Sequence, residues 1–318
     1  MSLPETDTDD SRCIGVVILN YNTCEETEEC VKLLKSDRRN RFKVAVLDNG
    51  SVPDESTRLA RELGQHAILL RSERNLGYAL GCDVVAEYLI RELRPSQLLF
   101  LNSDARITWT QIETLGRVLD EVPRAAAAGP RIMLPDGSCQ SAGGFANLAT
   151  GNTEWLHTPL SSRPYEVGAL HGSVMLLRVE AWIEIGPFDT DYFLYSEETD
   201  WCLRALGHDR KLLCVPETGA VHKVRGSTHG KVTPLHVYYW TRNRILLVRK
   251  QNDGARPVAF AFNFSLYFLR SLLSFVARWN FEKAEALIRG ALDGIAWKAS
   301  SNTRSEIALT YPSLVKVR

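Results

Sequence analysis

The sequence predicts an α/β protein with a mostly parallel central sheet flanked by helices and a C-terminal helical extension. Three observations predict it. Four short apolar runs, "CIGVVILNY", "KVAVLDNGS", "AILLRS" and "QLLFLNSD", share one rhythm; each is followed by helical patterning, over residues 25–36, 54–64, 78–93 and 109–121; and each run stops on polar residues. Alternation of this kind builds a parallel sheet that receives ligands outside the carboxyl ends of its strands. The strand ends are therefore the first candidate residues: Asn20, Tyr21 and Asn22 after the first run, Asp48, Asn49 and Gly50 after the second, Arg71 to Gly77 after the third, Ser103 and Asp104 after the fourth. One polar loop is ordinary, but four converging on one rim form a site signal. A competing account of Asp104 is local, since Asn102, Ser103 and Asp104 are all good helix-start residues for "WTQIETLGRVLDEV".

Beyond residue 125 the rhythm loosens, as in an α+β half: "AAAAGPRIML", a glycine-rich "GSCQSAGGFANLATGN", then "GSVMLLR" as another buried strand. "SEETDWCLRALG" reads as a helix with Ser196 as its N-cap, acids in its first turn and Gly207 as its stop. Acids there suit the helix dipole, yet Glu197, Glu198 and Asp200 are three in four residues, more than capping requires. Asp200 and Arg204 are also spaced to pair on the helix surface. After "VHKVRGST" comes a basic, aromatic helix, "VYYWTRNRILLVRK". Residues 258–277 have membrane length, but Arg270, Asn263 and two serines within them favour an amphipathic helix, packed on the domain or lying at a bilayer interface.

A chain of 318 residues buries a sizeable core and fits one large domain with an appendage. The expected division is a disordered tail over 1–12, a domain over 13–250 and a helical extension over 251–318. Net charge is zero, but from residue 221 onward sixteen basic residues face five acidic ones. That surplus favours an anionic partner, a diphosphate or a lipid headgroup surface; with no nucleic-acid motif beside it, nucleic acid is not an expected partner. Seven cysteines, an odd number without a CxxC pair, argue against a disulfide framework and a structural zinc site, and suit a reducing cytosol. The start, "MSLPETDTDDSR", is acidic where an export signal is basic then apolar. The expected location is cytoplasmic, with peripheral contact at the inner face of the cell membrane through the basic C-terminal third. The helical extension could equally serve a homodimer.

Read in order, "VVILNYN", "VLDNGS", "RNLGYALG", "LNSDA", "GSVMLLR", "GPFDTDYFLYSEETDWCLRA" and "VHKVRGST" resemble the family 2 glycosyltransferases of the GT-A fold, a Rossmann-like architecture, and most closely their bacterial rhamnosyltransferase-like branch. The resemblance runs from Ile14 to Lys250. GxGxxG is absent, which disfavours a dehydrogenase. The resemblance implies inverting, metal-dependent transfer of a sugar, best matched by rhamnose from dTDP-rhamnose, to a saccharide or lipid-linked acceptor in cell-surface polysaccharide assembly.

It also implies roles. Asp104, the one acid that "NSD" keeps of a DXD-type motif, is to bind Mn2+ or Mg2+; His222 is to join it, an imidazole tilting the choice toward Mn2+. Lys223 and Arg225 are to face the diphosphate. Asn20, Tyr21, Asn22 and Asp48 are to hold base and ribose, with Arg71, Asn75, Gly77 and Ser103 completing the nucleotide site. Glu198 is to be the general base, in a Glu197–Glu198 pair where the family has Glu–Asp, and Asp200 is the alternative base. His171, Gly172, Ser173, Glu197 and Trp201 are to line the acceptor cleft. From charge alone, Arg242 and Arg244 could face an acceptor phosphate. The Glu-for-Asp change and the missing first acid motivate a rival reading, a catalytically silent relative that binds nucleotide sugar or glycan as a scaffold. A nucleotidyltransferase is weaker, because its Gly-rich, Arg- and Lys-bearing N-terminal loop is absent.

Overall fold

The computed structural model describes residues 13–34, 42–224, 232–251, 257–298, 303–311 and 314–317. Its first half realises the expected rhythm: β1 (Ile14–Asn20), α1 (Cys24–Leu34), β2 (Phe42–Asn49), α2 (Pro53–Leu63), β3 (Ile68–Ser72), α3 (Tyr78–Leu93), β4 (Gln97–Leu101), a two-residue β5 (Ala105–Arg106) and α4 (Trp109–Glu121). β1 and β4 are covered on both faces, which is why they read as unbroken apolar runs rather than alternating ones. Pro53 opens α2, where its missing N–H costs nothing, and Asp54 and Glu55 follow at the dipole's positive end. α4 is capped by Thr108 and Gln111 in a reciprocal box. Asn102, Ser103 and Asp104 are therefore not its caps, and the local account of Asp104 is corrected.

The second half runs β6 (Ala125–Met133), β7 (Cys139–Ser141), β8 (Gly144–Asn147), β9 (Asn152–Trp155), β10 (Tyr165–Glu166), β11 (Val174–Arg178), α5 (Val179–Ile185), α6 (Glu197–Gly207) and β12 (Lys211–His222). The main sheet has the order β10-β12-β6-β11-β4-β1-β2-β3, with β5 paired to β12 and β7 to β6; β8 and β9 form a separate hairpin. β3, β2, β1 and β4 are parallel, whereas β11 enters antiparallel between β4 and β6. The reversal brings the start of β11 to the carboxyl end of β4, with Val174 opposite Leu101. Helices α1, α2 and α4 cover one face through Val31, Leu59 and Leu115; α3, α5 and α6 cover the other through Leu89, Trp182 and Trp201. All seven cysteines are free.

Three further helices follow: α7 (Pro234–Lys250), α8 (Pro257–Ala277) and α9 (Phe281–Ala296). α7 and α9 approach so closely that a Cβ at Gly290 would lie 2.5 Å from the Tyr238 carbonyl oxygen. The chain then returns to the N-terminal sheet. Ile307 of α10 (Thr303–Thr310) joins the core beneath α3, and β13 (Val315–Val317) pairs antiparallel with β3. The chain from residue 257 is mostly helical among the described residues, as expected, and its last elements pack back on the first sheet.

Candidate active site

Parallel pairing sets the rim. Asn20 stands opposite Asp48, and Asp48 opposite Arg71, at the ends of β1, β2 and β3. Asn20 is fully buried: its Oδ1 accepts from the Thr27 hydroxyl at 2.8 Å and its Nδ2 donates to Ser51 Oγ at 3.1 Å. Asn22 takes a left-handed φ of 55° and accepts the Val52 N–H at 2.9 Å, leaving Tyr21 between them at the surface. Asp48 is 1% exposed, and its oxygens receive the Ser51 N–H, the Ser56 hydroxyl and, at 3.5 Å, the Arg71 guanidinium. In this arrangement it braces the pocket wall rather than facing open space. Asn75 accepts the Gly77 N–H at 2.8 Å, and Asn49 ties that loop to β2 by donating to Gly77 O at 3.0 Å. Gly77 has φ 78°, and a Cβ there would lie 2.4 Å from the Phe193 carbonyl oxygen, so both backbone freedom and space demand glycine. Ser103 is buried beside Thr23.

At the end of β4 the sheet places Asp104 next to His222. β5, the two residues after Asp104, pairs antiparallel with the end of β12 and sets His222 opposite Ala105; the Lys223 N–H then donates to Asp104 O at 3.0 Å. Asp104 Oδ1 and His222 Nε2 lie 3.3 Å apart. His222 Nδ1 meets Gln140 Oε1 at 2.9 Å; with that oxygen accepting, Nδ1 carries the proton and Nε2 turns a lone pair toward the carboxylate. A carboxylate oxygen and an imidazole nitrogen at that distance share one positive charge, supplied by a proton on Nε2 or by a cation between them. The carboxylate oxygen suits Mg2+ or Mn2+ and the imidazole nitrogen tilts the choice toward Mn2+; among the described residues no third His, Cys, Asp or Glu joins them. The pair thus fits a cation that shares its remaining positions with a ligand such as a diphosphate.

His171 continues the wall, its ring 5.5 Å from that of His222 and 5.1 Å from Trp155. Its Nδ1 accepts the Ser173 N–H at 3.2 Å, and burial, with His222 nearby, pushes its pKa down to about 3. The ring is therefore a neutral donor through Nε2. Gly172 makes room for Glu198, whose side-chain carbons lie 3.1–3.4 Å from where a Cβ at 172 would stand. Tyr78, inside the quoted "NLGYALG", joins the two halves by donating its hydroxyl to Asn102 Oδ1 at 2.9 Å, with Gly172 O at 3.3 Å.

Glu197 and Glu198 open α6, and each keeps a buried Oε2 without a hydrogen-bond partner. Burial raises both carboxyl pKa values above the usual 4.5, and at Glu197 the neighbouring Glu198 charge adds to the rise. A general base must be ionised, so transfer is expected to rise with pH through a value above 4.5 and then level off; a pH profile of kcat/KM checks this. The stability sign is opposite. Both groups bind protons more tightly when folded, so their contribution is complete below the unfolded value and is lost as pH rises through the folded values.

The loop before Glu197 is clamped from two sides. Tyr78 N–H donates to Phe193 O at 2.7 Å, and Asn243 of α7, fully buried, donates to Leu194 O at 2.8 Å and Tyr195 O at 2.7 Å. Tyr195 and Ser196 are held at φ 70° and 74°, a conformation costly for side-chain-bearing residues, and Ser196 does not cap the helix as expected. Asn243→Ala orphans two carbonyls and frees this loop. It is expected to lower stability by on the order of 2 kcal/mol and kcat by about tenfold with donor KM unchanged, read from melting curves and initial rates.

Several expected residues lie elsewhere. Trp201 is 0% exposed, stacked on Trp182, with Nε1 donating to Gly186 O at 2.9 Å, so it is core and not cleft lining. Asp200 is 2% exposed and spent on Arg204 Nε at 2.8 Å and Gln251 Nε2 at 3.2 Å, which corrects its reading as alternative base. Lys223 does not stand free for a diphosphate: with Arg106 it pairs with Glu26 and Glu29, and those two cations hold the Glu29 carboxyl down at about 2. Glu197, at 4% exposure, underlies the cleft rather than lining it. Arg242 is committed to Asp191 O and the Tyr239 ring. Arg225 lies outside the described residues.

A mixed sheet of this order, with a carboxylate–imidazole pair at the carboxyl rim and a carboxyl on α6 that keeps one oxygen unpartnered, fits the GT-A glycosyltransferase class that the sequence motifs resemble. Residues 15–185, more than half of the chain, match the model of Glycosyl transferase family 2, and the chain belongs to that family. It is 26% identical over 248 residues to the dTDP-rhamnosyl transferase RfbF of Shigella flexneri, covering 75% of this chain and 81% of that protein. It is 28% identical over 266 residues to an N-acetylglucosaminyl-diphospho-decaprenol L-rhamnosyltransferase of Mycobacterium tuberculosis, covering 76% and 85%. Among solved structures, the mannosyltransferase PcManGT from Pyrobaculum calidifontis, in complex with GDP-Man and Mn2+, has the same fold with a TM-score of 0.54 at 12% identity, covering 94% of this chain and 79% of that one.

Proposed function

We propose that the protein is an inverting, metal-dependent transferase that moves rhamnose from dTDP-rhamnose to a saccharide or lipid-linked acceptor in cytoplasmic steps of cell-surface polysaccharide assembly. The observation that carries the reading is Glu198: a carboxylate at a buried helix start, one oxygen unpartnered, packed on Gly172 across the same rim as Asp104 and His222. A carboxylate with a free oxygen at this rim is suited to act as a general base, a use that a scaffold which only binds does not call for. The two rhamnosyltransferase relatives support the sugar and, in the mycobacterial case, a lipid-linked acceptor.

In this reading the nucleotide lies over Asn20, Tyr21 and Asn22, with Asp48 and Arg71 at its base and the Asn75–Gly77 loop against it. Asp104 and His222 would hold a divalent cation, which would supply positive charge where the diphosphate departs. Glu198 takes the acceptor hydroxyl proton as that oxygen bonds to the anomeric carbon from the face opposite the breaking bond to phosphate. His171, neutral at working pH, donates from Nε2 beside it. The test is transfer from dTDP-rhamnose, beside UDP- and GDP-sugars, to a synthetic diphospholipid-linked N-acetylglucosamine, with the product's anomeric configuration read by NMR. Inverted product from dTDP-rhamnose supports the reading; retained configuration, or turnover with another donor alone, overturns it.

A further inference from the structure

Helix α8 carries two apolar stripes. One faces inward: Tyr267, Phe268, Leu272 and Phe275 pack with Val237 and Leu287, the Arg244 guanidinium sits 3.9 Å from the Tyr267 ring, and Asn263 donates to Ala149 O at 3.0 Å. The other has no cover among the described residues: Val258 is 82% exposed, Phe262 71%, Leu269 53%, Leu273 60% and Val276 46%. The stripe runs into the turn before α9, where Trp279, next to Arg278, is 81% exposed, and on to Phe281 at the start of α9, 56% exposed. Soluble monomers rarely leave an apolar surface of this extent bare.

Length and hydropathy alone would let Val258–Ala277 cross a bilayer. The inward stripe argues against a span, because its contacts hold the helix along the domain. From 257 to 279 the charges are Arg270 and Arg278, with no acid. A two-fold dimer would lay this patch against itself and bring Arg270 and Arg278 toward like charges, with Glu282, at the start of α9, as the acid at its edge. Anionic headgroups neutralise them directly, and exposed tryptophan and phenylalanine beside arginine suit the boundary between headgroups and chains. We infer that the outward face of α8, with the Arg278–Phe281 turn, docks on an anionic lipid bilayer and holds the enzyme against it. The placement suits the acceptor half of the site. Asn263 grips the β8–β9 turn, and that hairpin carries Thr153, 2.8 Å from the Thr199 hydroxyl beside Glu198, and Trp155, whose ring lies 5.1 Å from that of His171.

The experiment is flotation of the full chain with vesicles of phosphatidylcholine alone or mixed with phosphatidylglycerol, alongside sedimentation velocity without lipid. The expected results are binding to the mixed vesicles, weakened about tenfold by Leu269→Glu with Leu273→Glu and also by Arg278→Glu, and a monomer in solution. These side chains are exposed, and unchanged melting curves check that the variants fold. Absence of binding to the mixed vesicles, or binding untouched by the substitutions, overturns the inference. So does a dimer that Leu269→Glu with Leu273→Glu splits, since a second copy then covers the face. Vesicle binding is read without sugar transfer, so its failure leaves the transferase reading standing.

Discussion

Glu198→Gln is expected to lower kcat by about a hundred- to ten-thousand-fold while leaving donor-induced stabilisation intact. The substitution keeps the side chain's length and volume against Gly172, where glycine alone leaves room for it. It removes only the ability to take a proton. Because its Oε2 has no partner to lose, the variant folds at least as well as the parent, and an inactive enzyme cannot then be put down to misfolding. Asp200→Asn supplies the contrast. It breaks the pair with Arg204 and so lowers stability, but retains turnover per folded molecule. The opposite pattern, activity kept in Glu198→Gln and lost in Asp200→Asn at equal folding, would return the role to Asp200. Initial rates with saturating donor, normalised to the folded fraction, decide it.

Asp104→Ala is expected to remove the response to divalent metal altogether. With one carboxylate and one imidazole as the protein's share of the ligands, loss of the carboxylate leaves a single nitrogen, too few for a hard cation that prefers oxygen. Donor-dependent stabilisation should then become the same with Mn2+ and with EDTA, and turnover should fall at least as far as in Glu198→Gln. Gln140→Ala should act in the same direction more weakly, about ten- to a hundred-fold in metal affinity, because it frees Nδ1 of His222 without removing a ligand. Metal titrations followed by activity and by melting temperature separate the two variants.

The parts of the site that the sequence discloses are those whose geometry is local. Strands β1 to β4 are buried on both faces, so they read as continuous apolar runs, and their polar ends mark the rim where Asn20, Asp48 and Asp104 stand. The parts it hides depend on distant partners. Lys223 looks like a free cation beside His222, yet Glu26 and Glu29, near the other end of the chain, neutralise it. Trp201 has the chemistry of a sugar platform, but which side of α6 faces the sheet is a tertiary fact, and that side is the core. Asn243 left a usable trace, a polar residue on the inward side of α7 with Leu246 and Leu247; its partners, the carbonyls of Leu194 and Tyr195, are irregular backbone that no periodicity announces. Gln140 left none, since a glutamine in a glycine-rich stretch reads as loop.

The most direct test of the central claim, that the strand-end rim with Asp104 and His222 is a metal-assisted nucleotide-sugar site, is thermal stability against a panel of nucleotide diphosphate sugars with Mn2+, with Mg2+ and with EDTA. A ligand that binds only the folded chain raises the melting temperature with its occupancy. The predicted result is stabilisation by dTDP-rhamnose in the presence of metal, abolished by EDTA and absent in Asp104→Ala. A panel that stays flat with metal present, or a donor shift that is equal in EDTA and in Asp104→Ala, contradicts it.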